Sequence, residues 1–202
     1  DPDVTVTFAI GITNDDGNGE DTITFSQTSS GTDDWSFVFP GSITLDKDES
    51  KEILFSATPD INALAGLKSI SLFATSEDGD TMTSVTVTVR VNKLPDLNVV
   101  KVGTSAQDVE AGKRVYYSFS VTNKGNAVDS FDLEIENGSW YDKGWEASLD
   151  SEEISSLDVD ETINLTDVLV IKAPMNAGAD DEVTFKVKVS SQENSSIYKT
   201  YT

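Results

Sequence analysis

Apolar and polar residues alternate along most of the chain with a period of two. Val4, Val6, Phe8, Ile10 and Ile12 share one face of such a stretch. The same alternation recurs in segments 85–91, 115–121, 131–135 and 183–189. One apolar and one polar face per strand is typical of antiparallel sheets packed on one side. Short strands rich in Thr, Val and Ser, with regular turn signals between them, predict an all-β chain of immunoglobulin-like antiparallel β-sandwiches.

The chain also repeats itself, with an offset of about 108 to 117 residues, which corresponds to one sandwich domain per copy. Segment 12–22 resembles segment 121–130 around a shared Thr-Asn pair, and Trp35 and Trp145 each precede a strand-like segment. A proline followed by Ala-Gly occurs later in each copy. Proline cannot extend a strand ladder, so Pro95 marks the boundary. We therefore predict two tandem domains, 1–93 and 94–202.

The two copies differ at their first strand. Repeat 2 has a strand-like segment at 97–102 and a turn at 110–113, whereas repeat 1 enters its equivalent strand almost directly at Val4. Repeat 2 stops within its last strand, 198–202. Buried backbone groups without partners cost about 1–3 kcal/mol each. We expect upstream chain to supply the first strand of repeat 1; the alternative is a strand donated by a neighbouring subunit.

Composition narrows the chemistry. The 202 residues include no Cys and no His, and 36 acidic residues against 14 basic residues give a net charge of −22. Disulfides, thiolate or imidazole metal ligands and Ser-His-Asp catalysis are therefore excluded. Such acidity also argues against binding to nucleic acid or to anionic lipid. No segment approaches the roughly 20 apolar residues of a membrane span.

The order of motifs resembles a known group of domains. The motifs follow one another in a fixed order: a strand, Thr-Asn-x-Gly-Asn, an acidic residue before Ser or Thr, a Trp, a Pro and an Ala-Gly. Repeat 2 shows them at Thr122–Asn126, Trp145, Pro174 and Ala177-Gly178. This order resembles the immunoglobulin-like repeats of archaeal and bacterial exported cell-surface proteins, often labelled NEW3-type or CARDB-like. The resemblance implies a spacer or binding role without catalysis.

One loop concentrates oxygen ligands suited to calcium. Calcium takes six to eight oxygens, and glycine permits a tight wrap around the ion. The predicted ligands are Asp15, Asp16, Asn18 and Glu20, together with Asp78 and Asp80 of the 77–80 loop, which should lie at the same end of the sandwich. The alternative is an ordinary solvated turn. Calcium is the only cofactor that the sequence suggests.

Repeat 2 carries further candidate sites. Asn137, Asn164 and Asn194 each begin an Asn-x-Ser/Thr sequon at what read as loop positions, so they are candidate glycosylation sites. Trp140 has no counterpart in repeat 1 and is the candidate for an exposed contact with a sugar or protein. Trp35 and Trp145 occupy equivalent positions, which favours core packing for both.

These observations suggest a non-catalytic spacer or assembly module of an exported, archaeal cell-surface, surface-layer or filament protein. Its expected partners are other copies or other domains of the same long protein, with glycans as a further possibility. The alternative is a carbohydrate-binding accessory module of a secreted glycosidase, which an exposed aromatic platform would favour. Glycosidase chemistry needs two acids across a cleft. Glu134 and Glu136 lie two residues apart on one polar strand face, so we do not expect an enzyme.

Overall fold

A computed structural model describes residues 1–15, 19–32, 34–136 and 138–202. The chain divides into two compact units, Asp1–Lys93 (unit 1) and Leu94–Thr202 (unit 2). Within the described residues the only α-helix is the four-residue α1, Ser139–Asp142, and all strand pairs are antiparallel. The prediction of an all-β chain of two immunoglobulin-like antiparallel sandwiches is confirmed.

Unit 1 is built from a three-stranded and a four-stranded sheet. Its strands are β1 (Val6–Thr13), β2 (Asp21–Ser29), β3 (Ser36–Val38), β4 (Ser42–Leu45), β5 (Ser50–Thr58), β6 (Gly66–Thr75) and β7 (Met82–Val91). One sheet has the order β1-β5-β3 and the other has the order β4-β2-β6-β7. The strands β1 and β7 therefore each lie at the edge of a sheet.

Unit 2 is built from two four-stranded sheets. Its strands are β8 (Leu97–Val102), β9 (Arg114–Asn123), β10 (Asp129–Ile135), β11 (Glu146–Leu149), β12 (Glu153–Leu157), β13 (Thr162–Lys172), β14 (Val187–Ser191) and β15 (Tyr198–Tyr201). The sheet orders are β11-β13-β9-β8 and β12-β10-β14-β15. The alternation at 183–189 predicted a longer strand than β14, which begins only at Val187.

The apolar face of each strand points into its own sandwich. In unit 1 the fully buried Phe55 ring lies 6.3 Å from Phe8, 6.0 Å from Phe37 and 5.8 Å from Phe39, centroid to centroid. Unit 2 has its own core around Phe119, Phe131, Leu169, Ile171, Val187 and Val189. Burying each large apolar side chain contributes about 1.5–3 kcal/mol. The prediction that Trp35 and Trp145 belong to the cores is confirmed, since both are buried.

The polar faces are joined by hydroxyl pairs between neighbouring strands. In unit 1 Thr7 and Ser56 form a 2.8 Å hydrogen bond between β1 and β5, and so do Thr13 and Ser50. In unit 2 the hydroxyls of Thr122 and Thr162 are 2.7 Å apart. Such cross-strand pairs fix the register of two strands from the solvent side. They explain why the outward positions are so often Thr and Ser.

The pairings give a strand-by-strand correspondence between the two units. Thr13 faces Ser50 in unit 1 as Thr122 faces Thr162 in unit 2, so β1 corresponds to β9 and β5 to β13. By the same reasoning β3, β4, β2, β6 and β7 correspond to β11, β12, β10, β14 and β15. Strand β8 pairs with β9. In the described part of unit 1, no strand occupies the corresponding position beside β1.

Candidate functional site: an open cleft in unit 1

A cleft of about 870 Å³ opens between the two sheets of unit 1. One wall is formed by the end of β1, residues 10–13, and the opposite wall by Thr83, Ser84 and Val85 of β7. The floor includes Ile23, Ile53 and Leu72, which are core residues of the sandwich. The cleft therefore leads from the side of the sandwich directly to its hydrophobic core.

The apolar residues of β1 are less covered than their counterparts in β9. Ile10 and Ile12 correspond to Phe119 and Val121, which are completely buried, yet both isoleucines keep part of their surface exposed. On the facing wall, Val85 is 40% exposed. Large apolar side chains open to solvent along one groove are typical of a surface that receives another element.

The mouth of the cleft is acidic. Asp15, Glu20 and Asp21 line it on one side, and Glu77 and Asp78 line it on the other. The two loops meet where the Glu77 backbone N–H donates to the Asp21 carboxylate at 3.3 Å. The expectation that the loop before β2 and the 77–80 loop share one end of the sandwich is therefore confirmed.

The predicted calcium ligands are only partly within the described residues. Asp16 and Asn18 lie outside them. Asp15, Glu20 and Asp78 line the cleft mouth, whereas Asp80 does not. Within residues 1–15, 19–32, 34–136 and 138–202, no group of three or more Asp, Glu, His or Cys side chains is arranged to hold a metal ion. The calcium site stays a prediction from the sequence.

Asp78 has a structural role in its own turn. Its carboxylate accepts a 3.0 Å hydrogen bond from the Asp80 backbone N–H. That bond, followed by one from the Ser76 side chain, lowers the pKa of Asp78 below its usual range. The carboxylate is thus kept ionised while it closes the turn between β6 and β7.

Asn14 lies at the start of the oxygen-rich loop and holds that loop from inside. Its side chain is buried and its Nδ2 donates to the carbonyl oxygens of Gly19, Leu45 and Asp46 at 3.0, 3.2 and 3.3 Å. Buried backbone carbonyls need such donors because they have no access to water. Asn14 is therefore a structural residue of the loop that borders the cleft.

Sequence reasoning missed a second repeated element, the turn that follows β4 and β12. The backbone N–H of Asp46 donates to the Glu49 carboxylate at 2.8 Å, and that of Asp158 donates to Glu161 at the same distance. This bond is the first cause of a lowered pKa for Glu49. The signal was present, since Leu-Asp-x-Asp-Glu occurs at 45–49 and again at 157–161.

The prediction that Trp140 is an exposed contact residue is wrong. Trp140 is only 7% exposed, and its ring lies 5.2 Å from that of Phe185 in the unit 2 core. Its Nε1 donates to the Glu136 carbonyl oxygen at 3.4 Å. The short helix α1 turns the indole inward, and Tyr141 beside it is exposed instead.

The three sequons occupy different settings. Asn164 is exposed but lies within β13, so the expectation of a loop position is wrong for it. Asn194 is exposed in the turn between β14 and β15, where its side-chain oxygen accepts from the Ser196 backbone N–H at 3.1 Å. Asn137 lies outside the described residues. Glycosylation at all three stays a prediction.

Comparison with known proteins adds structures of low similarity. The chain matches no established family model and no curated protein sequence. Among solved structures, it is similar to the CsuC–CsuE chaperone–tip adhesion subunit complex of Acinetobacter baumannii pili, with 9% identity and a TM-score of 0.32 over 96% of this chain and 89% of the other. The C-terminal domain of the Streptococcus agalactiae AgI/II polypeptide BspA gives 8% identity and a TM-score of 0.26, with 98% and 91% covered.

A third similar structure is the secreted serine protease VesC of Vibrio cholerae, with 10% identity and a TM-score of 0.35 over 95% of this chain and 48% of the protease. The similarity to each of these structures is too low to carry a functional argument. In the described residues, no helix combines the length and the apolar composition needed to cross a lipid bilayer.

Proposed function

We propose that this chain is a non-catalytic structural module of an exported cell-surface protein, in which two sandwiches serve as spacers in a layer, stalk or filament. The proposal includes the archaeal origin, the extracellular location and the partners suggested by the sequence, namely other domains or copies of the same long protein. Its mechanism is mechanical: each unit is a compact folded domain that keeps its length in solution and under a pulling force.

The observation that carries the proposal is what the two units have in common. Asn14 and Asn123 are both buried and both bond to loop carbonyl groups. The Asp46–Glu49 and Asp158–Glu161 turns have the same hydrogen bond, and Trp35 and Trp145 are both core residues. A repeat that preserves its scaffold residues is consistent with selection for the fold itself.

The charge distribution fits the same role. Unit 1 has 16 acidic and five basic residues, and unit 2 has 20 and nine, so each unit has a net charge of −11. Because both units have the same net charge, the acidity is a property of the whole chain and not of one segment. A high net charge keeps a protein soluble and prevents non-specific association of neighbouring copies.

The carbohydrate-binding alternative rested on an exposed aromatic platform. The burial of Trp140 removes its main support, because a sugar ring stacks on an aromatic face only where that face is open. Tyr141 is 73% exposed, but the Trp140 ring beside it is buried against Phe185, so Tyr141 gains no second open ring from that neighbour. We therefore favour the structural role over glycan binding.

Location is tested with antibodies raised against this chain and applied to intact and to permeabilised cells of the source organism. The expected result is equal labelling of both, with a ribosomal protein labelled only after permeabilisation as the control. Labelling that requires permeabilisation would overturn the proposal. Retention of the chain on an insoluble polysaccharide, with loss on adding the soluble sugar, would favour the carbohydrate-binding alternative.

Load bearing is tested by stretching single molecules of the chain between its ends. Two separate unfolding events are expected, and the fully extended lengths of the two units are roughly 330 and 380 Å at about 3.5 Å per residue. A single cooperative event, or extension without a force peak, would contradict a spacer made of two independently folded units. The Asn123→Ala variant provides a control that should weaken one event alone.

A further inference from the structure

Unit 2 shows how the cleft position is filled in a complete sandwich of this fold. Strand β8 lies along β9, with Leu97 opposite Asn123 and Val99 opposite Val121, and it approaches β15 of the other sheet. Leu97 is only 1% exposed, and Val99 packs against the same core. Two inward apolar residues of one short strand thus seal the side of the sandwich.

The corresponding side of unit 1 is open along two long strand edges. Strand β1 has eight residues, none of them charged or proline, and it pairs with β5 without a register shift. Strand β7 has ten residues. At the other side of the sandwich the edge strands β3 and β4 have only three and four residues. Proteins usually protect edges by shortness, charge, proline or a bulge, so an unprotected β1 edge is suited to pairing.

The chemistry of the cleft selects the occupant. Its floor is apolar, and each wall contributes apolar side chains among polar ones: Ile10 and Ile12 on β1, and Val85 on β7. This favours a strand with apolar side chains at alternate positions, as in β8. Its mouth has five acidic residues, and no Lys or Arg is among its described lining residues. In unit 2, β8 begins at Leu97, which lies opposite Asn123. Asn123 corresponds to Asn14, so a strand antiparallel to β1 would begin at the acidic mouth beside Asn14. Basic residues therefore belong before the strand.

We propose that the cleft between β1 and β7 binds an extended strand of a partner protein, antiparallel to β1, with alternate apolar side chains and a basic N-terminal flank. A second copy of this chain is a poor occupant, because unit 1 has a net charge of −11 and two such surfaces repel each other. This inference is independent of the proposed spacer role, since it concerns the edge of unit 1 alone.

The test uses the whole chain and a fluorescent peptide, Lys-Lys-Leu-Asn-Val-Val-Lys-Val, which places two lysines before the sequence of β8. Fluorescence anisotropy should show saturable binding that weakens as salt is added. A matched peptide with Asp in place of Leu97 and Val99 should not bind. Hydrogen exchange should show new protection of β1 amides and no new protection of β9. Protection confined to unit 2, or no saturable binding, would overturn the proposal.

Variants of the cleft wall provide the second arm. Val85→Lys replaces an apolar wall residue with a charged one and should weaken peptide binding about tenfold or more. Val38→Lys is the matched control, because Val38 is exposed on β3 and does not line the cleft; its affinity should equal that of the unchanged chain. Thr83→Lys is a second wall variant if Val85→Lys does not fold by circular dichroism. Equal affinity of wall and control variants would refute the assignment.

The two other occupants are the upstream chain that the sequence led us to expect and a second copy of this chain. If a longer chain that includes residues before Asp1 no longer binds the peptide, an upstream strand fills the cleft and the proposed partner strand is wrong. Sedimentation of the chain without peptide tests the second copy. The expected result is a monomer at all concentrations that are used for binding. A dimer that Val85→Lys dissociates and Val38→Lys preserves would show that a second copy fills the cleft, and the proposed heterologous strand would be wrong.

Discussion

Asn14 and Asn123 hold the same loop in the two units by the same kind of hydrogen bond. Asn14 directly follows β1, Asn123 is the last residue of the corresponding strand β9, and both side chains are buried. Asn14 Nδ2 donates to three carbonyl oxygens, including that of Leu45, and Asn123 Nδ2 donates to Ala127 and Leu157 at 2.8 and 2.9 Å. Leu45 and Leu157 end the corresponding strands β4 and β12. The shared Thr-Asn motif is therefore a device that ties a loop to the opposite sheet.

Removing either amide should destabilise its unit by about 1–3 kcal/mol, because buried carbonyl groups lose their donors. We expect this for Asn14→Ala in unit 1 and for Asn123→Ala in unit 2. Urea unfolding, monitored by hydrogen exchange of the amides in each unit, measures the stability of the two units separately. The exposed residues Asn62 and Asn98 supply matched Asn→Ala controls, one in each unit, which should change stability little. An Asn14→Ala variant as stable as Asn62→Ala would contradict the role of Asn14.

Asp129 and Asp21 begin corresponding strands but differ in their surroundings. Asp129 is buried and accepts bonds from the Ser191 hydroxyl at 2.5 Å and the Ser130 backbone N–H at 2.7 Å. Asp21 is half-buried and accepts a longer bond, of 3.3 Å, from the Glu77 backbone N–H. Asp129→Ala should therefore destabilise unit 2 by about 1.5–3 kcal/mol, while Asp21→Ala should have a smaller effect on unit 1. Chemical denaturation of both variants checks this, and equal effects would contradict it.

Alkaline pH should weaken unit 2 through two tyrosines. Burial raises the pKa of both Tyr117 and Tyr201 above the ordinary value of 10.0, and the charge of Tyr117 adds to the effect on Tyr201. The phenol of each residue is therefore favoured in its neutral form in the folded state. Their contribution to stability is complete below pH 10 and is lost as the pH rises through the higher folded pKa values.

The measurement is urea unfolding at about pH 9 and about pH 11, since ordinary tyrosine titrates between them. A Trp35→Phe background makes tryptophan fluorescence report unit 2 alone, because Trp140 and Trp145 are both in that unit. Tyr201→Phe should reduce the loss of stability between the two pH values. Tyr141→Phe, at an exposed position, should leave the loss unchanged, and an equal response of both variants would exclude the buried tyrosines as the cause.

The calcium prediction is tested by thermal melting with calcium and with chelator. Ligand binding to the folded state alone raises its stability by mass action, so millimolar calcium should raise the melting temperature of unit 1 by several degrees. Asp15→Asn, which removes a predicted ligand, should abolish the rise, and magnesium should not reproduce it. Identical melting in calcium and in chelator would remove the hypothesis.

Much of the fold could be predicted from local pattern. Period-two alternation marks the inward face of a strand wherever one face is packed, so Val115, Tyr117, Phe119 and Val121 indicated β9 directly. Strand β8 was expected at 97–102 and is found there. Residues 183–186 show the limit: Val183 and Phe185 pack against the core without strand pairing, so their alternation was correct about burial and wrong about the strand.

The candidate site was less accessible to sequence reasoning. Ile10 and Ile12 alternate in the same way as Phe119 and Val121, so the pattern does not reveal that only the second pair is covered. Coverage depends on which strand lies alongside, a relationship between distant segments. The prediction of an exposed Trp140 was wrong for a related reason. It lies in a single helical turn, where neither a period of two nor a period of 3.6 indicates the inward side.

Gly125 gives the sharpest steric prediction in unit 2. A Cβ atom at this position would lie 2.8 Å from the Leu94 carbonyl oxygen and 3.1 Å from both the Asp96 nitrogen and the Pro95 Cα atom. These are backbone atoms, and the hydrogen bonds from Lys124 N–H to the Asp96 carbonyl oxygen and from Asn126 N–H to that of Leu94 hold them in place. No side-chain rotation can therefore relieve the contact.

Gly125→Ala should accordingly destabilise unit 2 by about 1–3 kcal/mol, the usual effect of overpacking a closely fitted site. Gly178→Ala is the matched control, because the nearest atom to its Cβ would be a side-chain atom, an Asp181 carboxylate oxygen, at an ordinary 3.4 Å. Urea unfolding in the Trp35→Phe background compares the two variants in the same unit. Hydrogen exchange should also rise at the Lys124 and Asn126 amides of Gly125→Ala alone. If both variants keep the stability of the parent chain, the 94–96 segment yields without strain and the steric argument fails.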